Sequence, residues 1–254
     1  MSSILTVKNV AIGEGVPKIC VPLVGVTVDE LKQEAEALKL LAPDLAEWRV
    51  DFYEGVEDIA AVQEALQAIR SVIPELPLIF TFRSKREGGE KEISREAYVN
   101  LNKAVAASGL ADIIDVELFN EEDDVRALVE AAHAHGVFVI LSNHDFHATP
   151  PKSEIISRLR KAQALGGDLP KIAVMPQSPA DVLTLLEATH EMKSEYADRP
   201  IITMSMAGAG VISRLAGEVF GSAVTFGAAR KPSAPGQIAV AELRDTLNLL
   251  HRSL

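Results

Sequence analysis

The feature of this chain that most restricts its fold is a regular alternation. Short runs rich in Val, Ile, Leu and Phe recur about every thirty residues, and each is followed by a segment of helical period. Eight such runs stand out, at 18–24, 45–51, 78–83, 112–118, 137–144, 171–175, 201–206 and 223–226. The segments between them carry helix signals. Thr27 with Glu30 reads as a capping box ahead of an apolar stripe of Leu31, Ala35 and Leu38. Ser178 and Pro179 open another helix, with Val182, Leu185, Leu186 and Thr189 as its stripe. Gly109, Gly136 and Gly166 stand where helices should stop, and Ile238, Leu243, Leu247 and Leu250 mark a last helix. Strand and helix alternating eight times in 254 residues predict parallel strands joined by right-handed crossovers. That sheet closes into a (β/α)8 TIM barrel, an α/β fold whose typical length is about 250 residues. An open doubly wound sheet is the alternative, but no G-x-G-x-x-G follows an early strand. Residues 3–16 predict a short hairpin closing the barrel bottom, and with no linker or low-complexity tract the reading is a single domain over 1–254.

Charge and cysteine usage narrow the function classes. With 25 Lys plus Arg against 36 Asp plus Glu the net charge is −11, which argues against nucleic acid or an anionic membrane as a partner held by bulk charge. Cys20 is the one cysteine, so neither an intrachain disulfide nor a multi-cysteine zinc site can form. No apolar run approaches the roughly 20 residues of a membrane span, and the first twenty residues do not read as a signal peptide. A cytoplasmic location is the expectation.

Side chains alternate across a strand, so charges can be sorted by face. Glu47, Arg49 and Asp51 share one face of the second run; Thr81 and Arg83 share one of the third, and Asp115 and Glu117 one of the fourth. Ser142 aligns with His144, Lys171 with Ala173 and Met175, and Met204 with Met206. Helices cover the outside of a barrel with apolar surface, so these polar faces should point inward. Arg49, Arg83 and Lys171 then meet Glu47, Asp51, Asp115 and Glu117, a nearly balanced set, as buried ions require. A barrel interior built only for stability would hold Val, Ile and Leu instead.

Among these residues Lys171 is the most informative. On its own strand it shares the inner face only with Ala173 and Met175, and desolvation there would favour a neutral amine able to attack a ketone and form a Schiff base. His144, at the end of the fifth run, suits proton transfer near neutral pH. A metal site is the competing reading of His144 with His147 and of His133 with His135, although no zinc spacing is met. The charged loop 84–90 could bring Glu87 over the barrel mouth to orient an imidazole. Residues 227–237, punctuated by Gly and Pro, suit a lid. Arg214, placed near a helix N-terminus, would suit a substrate carboxylate.

Several long motifs in one order then resemble a known family, the type I 3-dehydroquinate dehydratases. They are Gly13-Glu14-Gly15 with Pro17-Lys18, Glu47-Trp48-Arg49-Val50-Asp51, Phe80-Thr81-Phe82-Arg83-Ser84 and Ser142-Asn143-His144-Asp145-Phe146. Pro170-Lys171-Ile172-Ala173, Met204-Ser205-Met206, Ile212-Ser213-Arg214-Leu215-Ala216-Gly217 and Ser233-Ala234-Pro235-Gly236-Gln237 complete the set. The resemblance implies a homodimeric (β/α)8 lyase of the shikimate pathway, with 3-dehydroquinate as substrate and no metal or cofactor. It implies catalytic roles for Lys171, as the imine-forming amine, for His144, as the proton shuttle, and for Glu87, which positions the histidine. It further implies a substrate pocket of Glu47, Arg49, Arg83, Met204, Met206, Arg214, Ser233 and Gln237. Two places depart from the family pattern: Pro22 stands where a substrate-contacting serine is expected, and Ala207-Gly208-Ala209-Gly210 lacks the Ser/Thr and Lys often found there. A Schiff-base class I aldolase acting on another small hydroxyketone is the alternative reading of the same lysine.

Overall fold

The computed structural model describes residues 4–229 and 236–254. Its chain begins with an antiparallel hairpin of β1 (Leu5–Val7) and β2 (Val10–Ile12). Eight parallel strands follow: β3 (Lys18–Leu23), β4 (Leu45–Arg49), β5 (Leu78–Thr81), β6 (Ile113–Glu117), β7 (Phe138–Asp145), β8 (Leu169–Val174), β9 (Ile202–Ser205) and β10 (Val224–Ala228). A two-residue strand, β11 (Ile238–Ala239), extends the sheet beyond β10. Between the strands lie α1 (Val28–Leu41), α2 (Ile59–Val72), α3 (Arg95–Ala107), α4 (Glu122–Ala134), α5 (Lys152–Ala164), α6 (Pro179–Glu191), α7 (Val211–Leu215) and α8 (Gly217–Phe220), and α9 (Val240–His251) ends the chain.

The strands form one curled sheet in sequence order, with β10 returning to β3. The ring closes between β9 and β10, where the Ala223 amide donates to the Ile201 carbonyl at 2.8 Å. There the Ser222 hydroxyl takes the place of a ladder bond by accepting from the Thr203 amide at 2.9 Å. All eight strand expectations are met, as are the hairpin and the left-handed glycines at 109, 136 and 166. Two helix details differ. Glu30 reaches back to the Val26 amide instead of the Thr27 amide, so the box is shifted by one residue while Thr27 still accepts from Glu30. Ile238 pairs with Gly227 as a strand residue, and the last helix starts two residues later, because the free edge of β10 offers it a ladder.

The outer faces of the strands pack on the helices. Trp48, buried, meets Tyr53 and Phe80 edge-on at 5.7 Å each, and the stripes Leu31/Ala35/Leu38 of α1 and Val62/Leu66/Ile69 of α2 cover them. Inside the barrel, the lower layer is a plug of Cys20, Leu45, Ile79, Ile113, Ile140, Leu169, Ile202 and Val224, sealed from below by Val7 and Ile12 of the hairpin. Two residues further along each strand the character changes. The next inward positions are Pro22, Glu47, Thr81, Asp115, Ser142, Lys171, Met204 and Phe226.

Candidate active site

The second layer floors a cleft at the C-terminal ends of the strands, where barrel active sites gather. It is lined by Lys171, His144, Glu87, Glu47, Arg49, Arg83, Met204, Met206, Arg214 and Gln237, ten of the eleven sequence candidates. The eleventh, Ser233, lies outside the described residues, as do positions 230–235 of the expected lid.

Lys171 is only 5 % exposed. The expected meeting of Lys171 with inward carboxylates is found, and the adjacent strands, which its own alternation cannot show, decide which ones. Register places Thr81 beside Asp115 and Ser142 beside Lys171, so carboxylates from β6 and β4 reach the amine. Nζ donates to Asp115 Oδ2 at 3.1 Å, stands 3.7 Å from Glu47 Oε1, and lies 4.7 Å from the centre of the Phe226 ring. The lysine is therefore ion-paired on one side and covered by an aromatic face on another.

Arg83 holds the carboxylates of this layer. Its Nη1 donates to Glu117 Oε1 and to Ser142 Oγ, both at 3.0 Å, and its Nη2 donates to Asp115 Oδ1 at 2.8 Å. Burial opposes the charge on Asp115, but Arg83, Lys171 and the Ser142 hydrogen bond outweigh it and hold the carboxyl down at about 2. For Arg83 too, burial is outweighed, by Asp115, Glu117 and Glu87, so the guanidinium stays charged. Arg49 is locked bidentately to Asp51, at 2.8 Å from Nε and 2.7 Å from Nη2.

Glu87 arrives on a 3-10 turn (Lys85–Glu87) after β5, fastened by the Glu87 and Gly89 amides to the Ser84 carbonyl and by the Glu90 amide to Asp51. Glycine is required behind it. Gly88 has φ +88°, and a Cβ there would come within 2.3 Å of the Phe146 ring; at Gly89 one would meet the Arg83 carbonyl at 1.9 Å. Glu87 Oε2 accepts the His144 amide at 2.9 Å and lies 3.1 Å from Nδ1. Burial, helped by Glu117, pushes the Glu87 carboxyl up to about 7 against the pull of Arg83. Burial, then Arg83, Lys171 and Arg49, hold His144 well below the usual imidazole value. The ring is thus neutral near pH 7, and donation from Nδ1 to Glu87 leaves Nε2 with its lone pair.

Arg214 closes one wall. It is buried, its Nη1 lies 3.8 Å from the Met204 sulfur, and burial lowers its pKa to about 10, which leaves it cationic at neutral pH. The expected helix N-terminus is corrected: Arg214 sits in the last turn of the five-residue α7, so the guanidinium and not a helix dipole carries the positive charge. Pro22, an edge of the family pattern, lines a neighbouring groove with Phe52 and Leu38 and not this cleft.

His133 pairs with Asp168 and His144 with Glu87, and among the described residues no three His, Cys, Asp or Glu side chains are grouped to hold a metal ion. Among the described residues no helix is long and apolar enough to cross a membrane. Sequence reasoning missed Phe226 and Phe146, which line the cleft. Sorting the faces of the eighth run would have found Phe226, an inward neighbour of Val224.

Comparison with known proteins agrees with this geometry. The model of the type I 3-dehydroquinase family matches residues 19–253. A 3-dehydroquinate dehydratase of Bacillus licheniformis is 63 % identical over the full length of both chains, and one of Listeria welshimeri is 64 % identical over 98 % of each. A solved type I 3-dehydroquinate dehydratase of Clostridium difficile, crystallised with covalently modified comenic acid, superposes with TM-score 0.98 at 59 % identity over all of both chains.

Proposed function

The chain belongs to the type I 3-dehydroquinase family and dehydrates 3-dehydroquinate in the shikimate pathway; we propose that it does so through an imine on Lys171. The observation that carries this reading is the buried amine of Lys171 in one cleft with a neutral, Glu87-held imidazole. The covalently modified comenic acid in the C. difficile relative accords with covalent chemistry in this family. Dehydration sets aside the aldolase alternative.

Bond by bond, the Lys171 ammonium first gives up a proton, for which Nε2 of His144 is the available base. Nζ then attacks the ketone carbon; the carbonyl oxygen takes one proton from Nζ and the other back from His144 and leaves as water, so that an iminium remains beside a neutral His144. The positive nitrogen acidifies the adjacent C–H, and His144 takes that proton as the electrons move toward nitrogen. Electrons returning from nitrogen expel the tertiary hydroxyl, which receives the proton from His144 and departs as water. Water then attacks the conjugated iminium, releasing the unsaturated ketone and the amine. Two waters leave and one enters, so the net change is loss of one. Arg214 binds the substrate carboxylate, while Glu47, Arg49, Arg83, Met204, Met206, Ser233 and Gln237 complete the substrate pocket. The enzyme works as a homodimer in the cytoplasm, with neither metal nor cofactor.

Turnover in 18O-labelled water tests the imine, because the ketone oxygen is lost and replaced from solvent. The expected product carries one 18O at the ketone, above the exchange of substrate and product controls without enzyme; an unlabelled ketone would contradict the imine.

A further inference from the structure

The steps above leave one fully buried carboxylate in contact with the reacting nitrogen and without a part in the chemistry. Asp115 is 0 % exposed, and its Oδ2 lies 3.1 Å from Lys171 Nζ. We propose that Asp115 is a further catalytic residue: it accepts the single N–H that remains on Lys171 once the imine has formed, keeping that nitrogen protonated and fixing the plane of its C=N bond. The inference rests on the imine reading and adds a residue to it.

Condensation with a ketone leaves the lysine nitrogen with one proton in place of the three of the ammonium. That proton needs an acceptor, since the site is closed from below by the apolar plug and on one side by the Phe226 ring. Two carboxylates are near. Glu47 Oε1 is the farther, at 3.7 Å, and already accepts the Thr81 hydroxyl at 2.9 Å. Asp115 is closer and better fixed. Its Oδ1 accepts Arg83 Nη2 at 2.8 Å and Ser142 Oγ at 2.6 Å, which pins the carboxylate and leaves Oδ2 facing the lysine.

The benefit is differential in one respect only. A carboxylate stabilises the resting ammonium and the iminium alike, so it does not favour one over the other. What it separates is the iminium from the neutral imine, which is a poor electron sink. Asp115, with its carboxyl held at about 2, has too little affinity for the proton to take it from the nitrogen. Direction matters as well. The iminium nitrogen, its hydrogen and its carbon substituents are coplanar, so an N–H aimed at a pinned oxygen allows the substrate ring one orientation toward His144.

Asp115→Asn keeps the shape and removes the charge. On protein shown folded by circular dichroism, the expected kcat falls by about 10²-fold or more, the scale of losing one preorganised electrostatic partner. KM should stay within about threefold, the pattern of an interaction made after binding. The kcat of the variant should also drop further as pH rises, because its imine sheds the proton, a dependence that a merely structural role would not produce. In Asp115→Ala, added formate should restore turnover and the neutral isostere formamide should not. A kcat within threefold of wild type, equal rescue by formamide, or failure of both variants to fold would overturn the inference. Borohydride reduction during turnover separates the two failures. No adduct at Lys171 in the wild type defeats the imine reading itself, whereas wild-type trapping with unimpaired Asp115→Asn defeats only the role of Asp115.

Discussion

The inside of this barrel is two barrels in one, and the same strands build both. Inward positions at Leu45, Ile79, Ile113, Ile140 and Leu169 make a dry plug, and two residues later the same strands present Glu47, Thr81, Asp115, Ser142 and Lys171. Both layers are almost wholly excluded from solvent. The lower one needs nothing but volume, since burying apolar surface is favourable in itself. The upper one holds ions whose desolvation would cost several kcal/mol each if unpaired, so every charge in it has to find a partner. Lys171 meets Asp115, Arg83 meets Asp115 and Glu117, and Arg49 meets Asp51. The plug lets the ions be there: it shuts the barrel from below, while the cleft above it lies at the C-terminal ends of the strands. Stability and chemistry are thus separated by a single period of the strand.

Substitutions in the two layers should therefore fail in different ways. The largest effect belongs to Lys171→Ala, which should lower kcat by about 10⁴-fold or more while the variant still binds substrate, read by steady-state kinetics and calorimetric titration. Residual activity within a factor of ten would remove the amine from the chemistry. Next comes His144→Ala, expected to lose about 10²- to 10⁴-fold in turnover while still taking a borohydride adduct. In the plug, Ile140→Ala should cost about 2–5 kcal/mol in denaturant unfolding, with kcat unchanged wherever the protein is folded. Loss of turnover without loss of stability there would break the separation of layers.

The smallest effects are in pH dependence, and two carboxylates of the upper layer should show opposite signs. Asp115 is depressed to about 2, so its contribution is present above its unfolded value and is lost as pH falls through about 4 to about 2. Glu87 is raised to about 7, so the fold binds its proton more tightly than the unfolded chain does. Its contribution is full below its unfolded value near 4.5 and is lost as pH rises through about 7. Thermal unfolding of Glu87→Gln should show a gain over wild type at pH 8 that disappears at pH 4. Its kcat should fall by about tenfold, since an amide holds the imidazole less firmly than a carboxylate.

The charged layer was legible in the sequence, because a period of two along each strand sorts residues by face; the apolar plug beneath it follows from the same period but was not drawn from it. Arg83, Asp115, Glu117 and Lys171 were placed inside by that rule alone. What it could not supply was the pairing between strands. Which of the four inward carboxylates meets Lys171 depends on the stagger of β6, β7 and β8. The setting of Arg214 was missed for a different reason: a five-residue helix has too few turns to show where it starts. The Ile238 strand was missed because its ladder partner, Gly227, carries no β signal.

The central claim is that the Lys171 nitrogen becomes covalently bound to the ketone carbon of the substrate. Borohydride added during turnover of 3-dehydroquinate, followed by proteolysis and mass spectrometry, tests it directly. The account predicts inactivation with one reduced substrate adduct per chain, on the peptide containing Lys171. Full activity after reduction, or an adduct on a different lysine, would contradict it.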